Sequence, residues 1–207
     1  MGVSVVPVFG SPVAELIDLL IGPSLEKRRD EWIVQIRDAV QEISERLDGF
    51  DPRDLQNNEA FVTAVLTTSA LALKTHQAEK LESFRHAIVN SVLPGAPEEF
   101  EQMTFLRFVD ELTPTHVRML TFLSDPVGWY ERHGLQRPDL MTAGLWAVIE
   151  PALPELGGKH ERSNQILSDL MARGLMMSST IGGMMSGASL WVPRISEFGQ
   201  QFLAFIT

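Results

Sequence analysis

Apolar residues return every three or four positions over most of the chain, the period of helices with one buried face. From Pro23 to Leu47, Leu25, Trp32, Ile36, Val40, Ile43 and Leu47 form one stripe. Glu26, Arg29, Glu31, Arg37, Asp38, Glu42 and Glu45 cover the opposite side. Gly49 ends that helix and Asp51-Pro52 opens a short turn. A second periodic stretch, 58–93, carries Phe61, Val65, Leu66, Leu73, Leu81, Phe84, Ile88 and Val92 behind an N-cap at Asn58. Its polar middle, Lys74-Thr75-His76-Gln77, leaves one helix or two open. Pro94-Gly95-Ala96-Pro97 closes the stretch. Another helix begins at Pro97, with Glu98 and Glu99 complementing its positive end. Phe100, Met103, Phe105, Leu106, Phe108, Val109 and Leu112 make it densely apolar. Thr113-Pro114 and Asp125-Pro126 are two further starts, each a capping residue followed by proline at the first helical position.

Beyond Pro126 the pattern loosens. Met141 to Leu156 predicts one or two short helices broken by Pro151 and Pro154, and Gly157-Gly158 a turn. Glu161 to Arg173 is helical, with Ile166, Leu167, Leu170 and Met171 inward and Gly174 at the C-cap. Leu175-Met176-Met177 and 190–195 are short apolar runs around a Ser/Gly-rich loop, which predicts a β-hairpin. Ser196 caps a last helix ending in Phe202, Phe205 and Ile206. Helix, turn, helix, glycine, strand, glycine-rich loop, strand, helix is the order of a winged-helix domain, which this part resembles. The predicted fold is mainly α: a multi-helix bundle behind an apolar N-terminal arm (1–134), then a winged-helix-like α+β module with one small β-hairpin (138–207).

The first 14 residues carry no charge. Glu15 and Asp18 then interrupt a run far shorter than the ~20 apolar residues of a spanning helix. Secretory signals begin with positive charge, and the myristoylation pattern wants Ser or Thr where Val6 stands. The expectation is therefore a cytoplasmic protein whose opening segment is an extended arm followed by a short helix packed on the core. The sharper alternative makes residues 1–22 an anchor for a membrane interface or a partner.

At 207 residues the chain is long enough to bury a core without staples, and it has no cysteine. That excludes a disulfide scaffold, a thiol nucleophile and any Cys-based metal site. A formal charge of −10 disfavours nucleic-acid binding through bulk electrostatics. The candidate recognition helix nevertheless offers Lys159, Arg162, Asn164 and Arg173, which on a DNA-binding reading would meet phosphates or base edges. The loop that follows has no Lys or Arg and carries Ile181, Met184 and Met185. Methionine is adaptable at binding surfaces, so Met176 and Met177 are assigned to the core and Met184 and Met185 to an exposed, protein-facing surface. Together with Val5, Val6, Val8 and Phe9 of the arm, Ile181, Met184 and Met185 are the expected self-association or partner residues.

No catalytic constellation emerges, and no cofactor or metal is expected. His76, Glu79, Glu82 and His86 have helical contact spacing, but a di-metal bundle site needs Glu-x-x-His, which the chain lacks. They are assigned to surface charge pairs. His116 and His133 have no orienting carboxylate nearby in sequence. Phosphate loops, a Gly-x-Ser-x-Gly elbow and His-Glu-x-x-His are absent.

Several phrases, in order, resemble the Abi-alpha type of bacterial proteins associated with abortive infection of phage. They are the apolar Pro/Gly-containing N-terminus, the charged amphipathic helix after it, Phe105 to Leu120 with its Leu112-Thr113-Pro114 junction, and the Ser196-Glu197-Phe198-Gly199-Gln200-Gln201-Phe202 ending. The resemblance implies a defence or stress association and no catalytic residues. The expected function is a non-enzymatic interaction or regulatory protein; the alternatives are a winged-helix DNA-binding regulator and a membrane-associating effector.

Overall fold

The structure is a computed structural model describing residues 12–177 and 183–207, with the backbone alone for 12–18. Nine α-helices lie among the described residues: α1 Pro12–Arg46, α2 Glu59–Ala72, α3 Ala78–Asn90, α4 Glu99–Glu111, α5 Pro114–Ser124, α6 Pro126–Arg132, α7 Trp146–Ala152, α8 His160–Ala172 and α9 Glu197–Ile206. Two short strands, β1 Thr142–Ala143 and β2 Met185–Ser186, form an antiparallel sheet. The chain is thus mainly helical with one small sheet.

The helix starts follow their side-chain chemistry. Asn58 accepts the Phe61 N–H at 3.0 Å, Asp125 the Gly128 N–H at 2.8 Å, and Ser196 the Gly199 N–H at 2.9 Å. Each satisfies a donor that the first turn cannot. Residues 73–77 divide the periodic stretch into α2 and α3, so His76 lies in a linker and not on a helix face. The helix expected from Pro23 instead runs continuously from Pro12, with Pro23 inside it. Proline there removes one hydrogen bond and displaces the carbonyl of Leu19, a position open to water. The N-terminal short helix expected to pack on the core is therefore the free end of α1, with Leu19 and Leu20 74% and 66% exposed.

The expected hairpin between 175–177 and 190–195 reduces to a single bridge, Met176 with Ile195. Ala188–Trp191 instead forms a 3₁₀ turn that buries Leu190, and β2 pairs with β1 some forty residues earlier. Gly187 makes that crossing feasible. Its N–H donates to Met141 O at 2.8 Å, and a Cβ there would fall 1.8 Å from Leu140 O. Gly174, at φ 70°, ends α8 in the left-handed conformation and turns the chain toward the bridge.

One apolar core runs without a break from Trp32 to Ile206. Trp32 meets Phe84 edge-on at 6.5 Å and donates its indole N–H to Ser69 Oγ at 2.9 Å, fixing α1 on α2 and α3. The last helix returns to the first half of the chain: Phe105 of α4 meets Phe198, Phe202 and Phe205 at 4.9, 5.5 and 5.7 Å. Such pairs add about 0.5–1.5 kcal/mol each beyond area burial. Asn90 of α3 donates to the carbonyls of Ala204 and Phe205, capping the open end of α9. In α6, Trp129 and Tyr130 are both buried, and the Tyr130 hydroxyl donates to Val148 O of α7 at 2.8 Å.

Candidate functional site

The polar residues proposed for α8 do not form one patch. Lys159 and Arg162 are exposed at its first turn. Lys159 donates to Glu155 O at 3.0 Å, and Glu155 also pairs with Arg118. Asn164 is exposed, but about 200° around the helix from Arg162. Arg173 is turned inward: it donates to Glu111 Oε2 and to Asp169 O, both at 3.1 Å, and its guanidinium lies 6.0 Å from the Phe108 ring centre. That ion pair joins α4 to the end of α8, so the arginine is committed to the fold.

Histidines the sequence left isolated acquire partners through packing. His116 accepts the Thr113 N–H on Nδ1 at 3.3 Å, within a capping box at the start of α5. Its Nε2 then carries the proton and donates to Asp169 Oδ2 of α8 at 3.3 Å. Burial, the largest influence, holds its pKa below the ordinary value against the raising effect of Asp169. The absence of an orienting carboxylate inferred from spacing is thus overturned: Asp169 arrives from 53 residues away. The sequence carried no signal for this beyond the capping residues themselves. His160 stacks on Trp146 at 5.5 Å and donates to Glu150 Oε1 at 2.7 Å, which together with the Gly158 N–H holds that carboxyl below its usual range. His86 accepts from Arg85 on Nε2 and donates from Nδ1 to Ile206 O at 3.2 Å. The surface charge pairs expected among His76, Glu79, Glu82 and His86 do not form; Glu79 pairs with Arg118 at 3.5 Å. Among the described residues no group of His, Asp or Glu has metal-site geometry.

The proposed contact residues divide. Val5, Val6, Val8, Phe9 and Ile181 lie outside the described residues. Met184 is 74% exposed, whereas Met185 packs against the core and its sulfur accepts from Arg194 Nη2 at 3.1 Å. Met176 is likewise buried beside the half-exposed Met177, so neither pair shares one environment. Of the two assigned to an exposed surface, only Met184 is there.

Among the described residues, α1 carries a run of exposed apolar side chains, Leu19, Leu20, Ile21 and Leu25. Ile21, Leu25, Trp32, Ala39 and Ile43 follow spacings of four, seven, seven and four, which place them on one face. Trp32, Ala39 and Ile43 are buried, while Ile21 and Leu25 continue the stripe past the end of the core, flanked by Leu19 and Leu20. No described helix is long and apolar enough to cross a membrane.

Comparison with known proteins finds no matching family model, no matching curated protein and no matching solved structure.

Proposed function

We propose that this chain is a non-enzymatic interaction protein that associates with itself or a protein partner through the free N-terminal part of α1. The observation that carries this reading is the apolar stripe of α1, which is buried at Trp32, Ala39 and Ile43, with Trp32 against Phe84 of α3, and continues exposed through Leu25 and Ile21. A helix with several exposed leucines beyond its own core presents the anchors of a helix-in-groove or helix–helix contact. The uncharged segment before it, with Val5, Val6, Val8 and Phe9, extends the same apolar character in sequence. Exposed Met184 offers a smaller second contact. The resemblance to abortive-infection proteins suggests a bacterial cytoplasmic role in defence or stress, and the order of elements from β1 to α9 suggests a winged-helix relationship for the C-terminal part.

DNA binding is the weaker reading: Arg173 is paired with Glu111, Asn164 lies on another side of α8 from Arg162, and the chain's net charge is −10. Light scattering on the full chain tests the main reading. A mass above the 23.1 kDa monomer that falls to the monomer in a Leu19→Gln, Leu20→Gln, Ile21→Gln variant supports self-association. A monomer in both cases removes it. Sedimentation of the wild type, but not the variant, with anionic vesicles would assign the same surface to a membrane instead.

A further inference from the structure

Beside Trp32, residues of α1 and of the junction between α2 and α3 line a cavity of about 480 Å³. Its floor is apolar, formed by Leu81 with the nearly buried Trp32 and Ala72 behind it. Its rim is rich in donors. Ser24, Lys27, Arg28 and Gln35 come from one face of α1, at helical spacings of three or four and seven, and Thr75 and His76 come from the linker opposite. The one carboxylate in the lining, Glu31, stands 3.7 Å from Lys27.

We propose that this cavity binds a small phosphorylated ligand of nucleotide size, with a flat ring on the apolar floor and the phosphate at Lys27, Arg28 and His76. Four observations support it. The volume falls in the range of small-molecule pockets, roughly 300–1,000 Å³, with the usual mixture of apolar floor and few polar groups. Arg28 is held in place by donating Nη1 to Leu73 O at 3.0 Å, which uses one of its five N–H donors. Thr75 Oγ accepts the Gln77 N–H at 3.1 Å, so its own proton is available to an anionic acceptor. Finally, the lining holds two cations and a histidine against one carboxylate, in a chain whose net charge is −10. The proposal is independent of self-association through Leu19 to Leu25.

The test is titration of the full chain with ATP, adenosine and inorganic pyrophosphate by calorimetry, on the wild type and on Lys27→Gln, His76→Gln and Arg162→Gln. Lys27 and His76 are both exposed, so their variants are expected to fold. The expected result is saturable ATP binding, with adenosine at least about tenfold weaker. Lys27→Gln and His76→Gln each weaken ATP by about three- to tenfold, the size of one net hydrogen bond at an exposed site, and Arg162→Gln leaves it unchanged. Absence of ATP binding at millimolar concentration overturns the proposal. So does binding that ignores Lys27 and His76, or binding that falls equally in Arg162→Gln. Adenosine binding as well as ATP overturns the phosphate assignment; pyrophosphate binding alone overturns the ring subsite.

Discussion

His116 donates its Nε2–H to Asp169 Oδ2 at 3.3 Å, joining the first turn of α5 to the C-terminal half of α8. Nδ1 of the same ring accepts the Thr113 N–H, and only the neutral ring can make both bonds at once. Protonation would set two donors against each other inside a half-buried site.

That arrangement predicts a pH dependence. Burial lowers the His116 pKa from the ordinary value of 6.5, with Arg173 and Arg162 adding to the effect of burial and Asp169 opposing it. In acid the unfolded chain takes up the proton before the folded one does. The ring's contribution is therefore whole above 6.5 and is lost as pH falls through the lower folded value. Melting temperatures measured from about pH 7.5 to about 5.5 should fall more steeply for the wild type than for His116→Gln. Equal slopes would mean that this ring does not titrate differently on folding.

Removing Phe202 should damage both halves of the chain together. Its ring is buried between Phe105 and Phe108 of α4, so Phe202→Ala leaves a cavity in the seam between α9 and the bundle. The expected loss is about 3–5 kcal/mol in urea unfolding, as a single transition. Two resolved transitions would show that α9 and the bundle unfold separately.

Tyr130→Phe keeps the ring and removes the hydroxyl that donates to Val148 O. With a fully buried side chain, the carbonyl is left without that donor, and the expected cost is about 1–3 kcal/mol. An unchanged unfolding midpoint would show that Val148 O finds another donor.

Gly199 sits in the first turn of α9, where a Cβ would lie 2.1 Å from Leu175 O. Gly199→Ala must push the start of α9 away from Leu175, and with it the Ser196 N–H bond to Leu175 O at 3.1 Å. Amide hydrogen exchange should rise at Ser196 and Met177 while the α2–α3 region stays protected. Unchanged exchange at Ser196 would contradict the steric assignment.

Apolar spacing and capping chemistry were enough to fix the mainly helical character and most helix starts. Asn58, Asp125 and Ser196 act through their own side chains on backbone donors three residues away, and apolar periodicity marks a face whichever neighbour covers it. Tertiary structure decided the rest, because each remaining question turned on a neighbour distant in the chain. Asp169 reaches His116 and Glu111 takes Arg173 only once α8 lies across α4 and α5. Met185 turns inward because β2 finds β1, an approach that only a side chain as small as that of Gly187 permits. Leu25 and Ile21 carry the same pattern as Trp32 and Ile43, yet remain outside because the core ends before it reaches them.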